Sequence, residues 1–176
     1  AGGAEKRRVF TALFSCFCHN PVATFSLCLL AQAYHLAASL VNKFSQVEIT
    51  VGFLMQIDKL VQLLESPIFM HLRLQLLEVD SQEYPALIKA LYGLLMILPQ
   101  SAAFRTLAER LSTACALQQT LSACPSADNT QKREFQKAQK ESGELLQTFD
   151  TVQLMHARAR KEVLASKSLT PHNNDI

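Results

Sequence analysis

The sequence predicts an all-α fold of antiparallel helix pairs, arranged as the end of an α-solenoid or as a compact helical bundle with a separate C-terminal helix. Three observations lead to this prediction. Five glycines and six prolines in 176 residues are fewer than the tight turns of an all-β sandwich would need. Large apolar residues recur at spacings of three and four, the period of an α-helix. Good N-cap residues stand directly before two of the prolines, an arrangement that is common at helix starts.

The start signals divide the chain into helices. Asn20 and Ser66 each precede a proline, and the run Ser45-Gln46-Val47-Glu48 has the form of a capping box, which predicts a helix start at 46. Pro85 lies near the start of the helix predicted at 84, and Ser101 marks the start of the helix that follows Pro99. The predicted helices are 6–18, 21–31, 33–43, 46–65, 67–79, 84–98 and 101–121.

Two of these helices carry apolar residues on two faces, which is typical of an inner helix packed on both sides. They are the helices at 46–65 and 84–98. Gly93 lies inside the second and costs about 1 kcal/mol relative to alanine. We therefore expect another helix to approach closely at Gly93.

Composition shifts along the chain predict its domain organisation. Residues 1–8 are expected to be a leader or an artificial edge of the chain, and 9–121 a helical domain. The polar segment 122–141 is predicted to be a linker, flexible or partly helical. A final helix is predicted over 142–165, capped by Ser142, and 166–176 is expected to be a disordered tail.

The charge balance and the cysteines limit the classes of protein. Lys and Arg total 17 against 15 for Asp and Glu, so nothing favours a nucleic acid as the main partner. Five cysteines are an odd number for a secreted disulfide framework, which predicts reduced thiols in a cytoplasmic protein. Residues 9–42 carry no formal charge, but Asn20-Pro21 interrupts them, and a membrane span needs about 20 apolar residues.

One cluster could be taken for a metal site or a nucleophile. It consists of Cys16, Cys18 and His19, with Cys28 nearby. On a helix Cys16 and Cys18 point about 200° apart, which prevents both from binding one ion. We interpret them as buried thiols acting as small apolar residues. No catalytic or phosphate-binding motif is present, so the sequence predicts no enzyme, no metal and no cofactor.

Asp58 falls on an apolar stripe of the helix predicted at 46–65, which predicts that its carboxylate is buried. A buried carboxylate needs a partner. Arg73 and Lys89 are likewise surrounded by apolar neighbours. We expect Asp58 to pair with one of these two cations and to set the register of the helices.

The final helix carries an apolar stripe at alternating spacings of four and three. Leu145, Phe149, Val152 and Val163 lie on it. Such a stripe can form a seam with a second copy of the chain, and these four residues are our candidate self-association contact. The alternative is that the helix closes the core of its own domain.

Three long strings of the sequence resemble a known family. They are CHNPVATFSLCLL at 18–30, KLVQLLESPIFMHLRLQLLE at 59–78 and LIKALYGLLMILPQSAAF at 87–104. Together they resemble the C-terminal region of the ArPIKfyve family of vacuole-morphology scaffolds. The resemblance covers about residues 9–111, and ELLQTFDTVQ at 144–153 is similar to the family's last helix.

The resemblance implies a non-catalytic scaffold that associates with itself, with a pentamer as the family's assembly. It also implies two enzyme partners: the PIKfyve-type lipid kinase that makes phosphatidylinositol 3,5-bisphosphate and the Sac-type phosphatase that opposes it. Recruitment from the cytoplasm to endosomal or vacuolar membranes would occur through that complex. Two alternatives stay open, a helical carrier of an apolar ligand or lipid and an enzyme that uses the region 16–28.

Overall fold

The computed structural model describes residues 2–121 and 131–168, and within these ranges it contains helices and connections but no strand. The predicted all-α fold is confirmed. The helices are α1 (Gly2–Phe17), α2 (Pro21–Leu30), α3 (Tyr34–Lys43), α4 (Val51–Leu64), α5 (Met70–Gln75), α6 (Tyr84–Ile97), α7 (Ala102–Leu121) and α8 (Gln131–Ser168). Short 3-10 turns at Phe44–Gln46 and Pro67–Phe69 precede α4 and α5.

Helix α3 packs against α2, α6 and α8, and its contact with α6 is the most extensive of these. Helix α4 packs against α2, α5 and α7. Helix α1 packs against α2 and α8, and α6 also contacts α7. The apolar core includes side chains from all eight helices.

The junction of α1 and α2 forms as its sequence predicts. The Asn20 side chain accepts hydrogen bonds from the backbone N–H groups of Val22 (3.0 Å) and Ala23 (3.1 Å). The buried Thr24 hydroxyl donates to the Phe17 carbonyl at 2.7 Å and so ties the start of α2 to the end of α1. Local sequence alone specifies this corner, because an N-cap acts within its own turn.

The start of α4 corrects the prediction of a capping box at Ser45. Thr50 is the N-cap, and its hydroxyl accepts from the backbone N–H of Phe53 at 3.1 Å. The Ser45 hydroxyl instead donates to the Asn42 carbonyl at 2.9 Å. The backbone at Val47 is extended, so no helix runs through this segment and α4 begins five residues later than predicted.

The expected close approach at Gly93 is confirmed. A Cβ atom added to Gly93 would lie 2.5 Å from Cγ1 of Val41 on α3. Real carbon contacts of this kind are about 3.5–4.0 Å. Glycine therefore lets α6 approach α3 at this crossing.

The last helix is longer than predicted. It begins at Gln131 and ends at Ser168, so Ser142 lies inside it and does not cap it. It also includes residues 131–141 of the segment expected to be a flexible or partly helical linker. Residues 122–130 of that segment, and 169–176 of the expected tail, lie outside the described residues. At the other end, α1 already begins at Gly2 and includes most of the expected leader 1–8.

Candidate docking surfaces

The cysteines near the end of α1 do not form a reactive or metal-binding centre. Cys18 and Cys28 are buried, and burial raises the pKa of the Cys18 thiol to about 11 and that of the Cys28 thiol to about 12. Thiols with such pKa values stay protonated near neutral pH, whereas nucleophiles and metal ligands are thiolates. Cys16 is exposed, so its interpretation as a buried thiol is wrong. Over residues 2–121 and 131–168 no group of three His, Cys, Asp or Glu side chains could hold a metal ion.

The predicted pair of Asp58 with Arg73 or Lys89 is wrong. The partly exposed Asp58 carboxylate accepts hydrogen bonds from the Ser101 hydroxyl (2.6 Å) and from the Gln62 side chain (2.8 Å). Its role is still to link helices, because Ser101 directly precedes α7. Neutral donors are enough for a carboxylate that keeps part of its surface in water. Lys89 is exposed on α6.

Arg73 has a different structural role, since it closes the end of α4. Its Nη1 atom donates to the carbonyl of Leu64 at 2.6 Å and to that of Ser66 at 2.7 Å. The last carbonyls of a helix have no partner within the helix. Arg73 lies on α5, so this contact also holds α5 against the end of α4.

Two further contacts position α5. The Tyr34 hydroxyl donates to the side-chain oxygen of Gln75 at the end of α5. Burial, with Glu83 nearby, raises the pKa of Tyr34 to about 12, so the hydroxyl stays a donor. A ring nitrogen of His71 lies 3.4 Å from the Leu29 carbonyl. This short helix is therefore held from three sides.

The outer side of α5 is densely apolar. Phe69, Leu72 and Leu76 are buried and face the core. The other large apolar residues of the segment 67–77, which comprises α5 and the residues next to it, are between 52% and 62% exposed. We call them the α5 surface: Ile68, Met70, Leu74 and Leu77.

Rigidly held, exposed apolar side chains are typical of a protein-binding surface. The sequence does contain a signal for the α5 surface. The segment 67–77 carries large apolar residues on more than one side of a helix, and a short helix at the surface cannot bury all its faces.

The predicted stripe on the final helix divides between two environments. Phe149 is fully buried, and Leu145 and Val152 pack partly buried against the same core. These three residues close the core of their own domain, which was the alternative interpretation. Val163 is 53% exposed, because α8 extends beyond the body there. Of the four candidates, only Val163 is left for a contact with another chain.

Polar contacts hold the second half of α8 to the body. Gln153 donates to the Cys18 carbonyl at 2.7 Å, and His156 contacts His19 at the end of α1. Two ion pairs flank these contacts: Lys43 with Asp150 at 2.8 Å, and Arg160 with Glu48 at 3.0 Å.

The clefts of the described structure lie at the surface between helices. One of about 400 Å³ separates α1, α3 and α8, and a neighbouring one of about 370 Å³ lies between α3, α6 and α8. Arg7, Glu83 and Glu144 line the first, and Lys89 lines the second. Both clefts are open to solvent, whereas a carrier buries most of the surface of its ligand, so these two clefts do not support the lipid-carrier alternative. Of the described helices, none is both long enough and apolar enough to cross a bilayer.

Comparison with known proteins identifies the family. Residues 2–114 match the family described as Vacuolar protein 14 C-terminal Fig4p binding. The chain belongs to this family. It is 56% identical over 105 residues to the Protein VAC14 homolog of Schizosaccharomyces pombe and 54% identical over 110 residues to that of Arabidopsis thaliana. It is 46% identical over 109 residues to Vacuole morphology and inheritance protein 14 of Saccharomyces cerevisiae.

These similarities cover a defined part of each protein. They span 60–62% of this chain and 12–14% of the three relatives. No solved structure matches the chain. The resemblance to the vacuole-morphology scaffolds is confirmed. The α5 surface lies inside the residues that match the Vac14 family, and α8 lies outside them.

Proposed function

We propose that the chain is a non-catalytic scaffold module that binds a Sac-type phosphoinositide phosphatase through the α5 surface. The single observation that carries this proposal is the density of exposed apolar side chains on α5, a helix that the fold holds rigidly. The description of the Vac14 family, which names Fig4p binding, supports it for residues 2–114.

The α5 surface has the properties of an interface core. Four large apolar side chains lie close together along the segment 68–77, and its one cation, Arg73, is already engaged with backbone carbonyls. The buried centre of an interface is depleted in charge, and a few well-packed residues there supply most of the binding energy. Because α5 is already ordered, little conformational entropy is lost when a partner binds it.

The test is binding of a Fig4p-type phosphatase to the 176-residue chain, measured by calorimetry or by biolayer interferometry. Leu74→Asp and Met70→Asp each place a charge in the proposed interface. We expect each to weaken binding more than about tenfold, as hot-spot substitutions do.

Met96→Asp is the matched control, because Met96 is 86% exposed on α6. It should bind within about twofold of the wild type, since an exposed substitution outside an interface changes little. Equal losses in Leu74→Asp and Met96→Asp would contradict the assignment of α5. Circular dichroism of each variant checks that the helices are intact.

We further propose that the chain associates with itself, as the resemblance implies, through the part of α8 that extends beyond the body. Val163 and the neighbouring Leu164, which is 67% exposed, lie on this part of the helix. Light scattering over a wide dilution range should give a mass that is a multiple of 19.6 kDa.

The substitution Val163→Asp should shift the chain to monomer, and Val51→Asp is the control because Val51 is 75% exposed on α4. A monomer at every wild-type concentration would refute self-association of this chain. A Val163→Asp variant that stays oligomeric would refute the α8 contact alone.

The assembly of this module with a PIKfyve-type lipid kinase on endosomal or vacuolar membranes belongs to the same proposal. The chain spans 12–14% of its relatives, so the kinase contact is best tested by adding purified kinase to a preformed complex of chain and phosphatase. Co-elution of all three is expected. Elution of the kinase by itself would assign kinase binding to regions that this chain does not contain.

A further inference from the structure

The end of α1 and the second half of α8 meet through two histidines. His19 Nδ1 and His156 Nε2 lie 2.9 Å apart, and the two ring planes are nearly perpendicular, at 84°. The neighbouring bond from Gln153 to the Cys18 carbonyl joins the same two helices at the same end. This contact is therefore the junction at which α8 is held to α1.

A hydrogen bond between two imidazole nitrogens needs one proton between them. It forms when both rings are neutral, and also when a single ring carries the positive charge. When both rings are protonated, each facing nitrogen bears a hydrogen and the two charges repel. Only the doubly protonated pair is incompatible with the observed geometry.

Among the described residues that line the cleft beside the pair, only Glu48 carries a negative charge. The cleft at this junction is lined from the segment 47–50, α4 and α8, and its charged members are Glu48 and Arg160. These two form an ion pair at 3.0 Å, so Glu48 is already neutralised. The other lining residues that carry polar side chains are neutral: Asn20, Thr50, Gln56 and Gln153. The N-termini of α2 and α4 adjoin the same cleft, and their partial positive charge also disfavours a second cation.

The remainder of the α8 contact does not depend on this junction. Phe149 is fully buried about two turns before His156, and Asp150 pairs with Lys43 of α3. Beyond Asp150, the contacts that must open together with the junction are the Gln153 bond, the partly buried Val152 and the exposed Arg160–Glu48 ion pair. Phe149 can keep α8 anchored while they do.

We propose that the part of α8 after Asp150, which we call the strap, can detach from α1. The His19–His156 pair is the acid-sensitive contact, or latch, that holds it. At neutral pH the shared hydrogen bond holds the strap against α1. When both rings become protonated, the docked strap is destabilised and the segment that follows Asp150 lifts from the end of α1. The docked pair accommodates a single positive charge, whereas the open form can bind a proton on each ring, so docking weakens once the pH is low enough for the second protonation.

The test is amide hydrogen exchange of the 176-residue chain between pH 7.5 and 5.5, corrected for the intrinsic pH dependence of exchange. Imidazole titrates within this window, whereas carboxylates titrate below it. Protection in 150–160 should fall by about fivefold, the factor expected for two unit charges about 4 Å apart in water. Protection in α6 should stay constant, which excludes global unfolding.

Two neutral variants and a control separate the latch from other effects. His156→Asn and His19→Asn should each abolish the acid-induced loss of protection, whereas His35→Asn on α3 should retain it. Each asparagine variant must first show that Phe149 is still buried, through protection near 149 at pH 7.5. An unchanged pH response in both asparagine variants, or a wild type without any response, would overturn the proposal.

Discussion

Replacing Gly93 by alanine tests the helix crossing on which the fold depends. The new Cβ would lie 2.5 Å from Cγ1 and 3.3 Å from Cγ2 of Val41. Val41 cannot easily turn away, because a valine in a helix has one strongly preferred rotamer. Helices α3 and α6 must therefore separate by about 1 Å to reach an ordinary contact of about 3.5 Å.

Two opposing terms set the size of the effect. Alanine is favoured over glycine inside a helix by about 1 kcal/mol. Overpacking a tight contact costs about 1–3 kcal/mol. We therefore expect Gly93→Ala to lower the free energy of unfolding by about 0–2 kcal/mol. In a Val41→Ala background only the Val41 Cβ remains, at 3.5 Å, and the same change should stabilise by about 1 kcal/mol.

The measurement is urea unfolding of the wild type, both single variants and the double variant, followed by helical circular dichroism. The coupling energy of this cycle should be about 1–3 kcal/mol, which is the cost of the clash itself. Gly52→Ala is the control, because its new Cβ would meet only the Thr50 hydroxyl, at 3.8 Å. Additivity within about 0.5 kcal/mol would refute the reasoning, as would a Gly93→Ala variant that is more stable than the wild type.

Three further predictions concern other parts of the core and surface. Arg73→Met should lower the free energy of unfolding by about 2 kcal/mol, because it removes hydrogen bonds from a charged group. The control Lys89→Met, at an exposed site, should change the free energy of unfolding by under about 0.5 kcal/mol. Equal effects of the two substitutions would contradict the role of Arg73 at the end of α4. The free energy of unfolding should fall above pH 9, because the Cys18 and Cys28 thiols have a pKa near 9 in the unfolded chain and near 11 and 12 in the folded one. Alanine at both positions should make the free energy of unfolding less dependent on pH in this range. An unchanged pH dependence in that variant would exclude the thiols as its cause. In a chain with serine at Cys115 and Cys124, Cys16 should react with an aromatic disulfide reagent well before the buried Cys18 and Cys28, because Cys16 is exposed. Adding Cys16→Ser should remove the fast phase, and a fast phase that persists in that variant would contradict the exposure of Cys16.

The helices were predictable where a signal acts over one turn. Asn20 before Pro21 marks the start of α2, and Gly93 inside an apolar helix indicated a close neighbour. The capping-box prediction at Ser45 was wrong although the motif is present in the sequence. The extended backbone at Val47 ends the local helix before Ser45 and Glu48 can cap each other.

The polar partners could not be predicted, because they come from distant parts of the chain. Asp58 does fall on an apolar stripe, yet its partner is Ser101 at the start of α7. Arg73 was expected to meet a carboxylate and instead binds the carbonyls at the end of α4. Carboxylates and backbone carbonyls both satisfy a guanidinium, so residue type does not decide between them.

Local sequence was enough to predict the helical class, most of the helix starts and the resemblance to the vacuole-morphology scaffolds, because periodicity, caps and long matching strings can be read within short stretches of the chain. Which apolar faces are covered depends on how the helices pack. The stripe of α8 looks uniform from Leu145 to Val163, but the body ends before the helix does, so the first part is core and the last part is surface. The segment 67–77 likewise carries large apolar residues on more than one side, and only the attachment of α5 to Leu64, Tyr34 and Leu29 determines which side stays open. Burial depends on which surfaces meet, and that is a property of the packed chain.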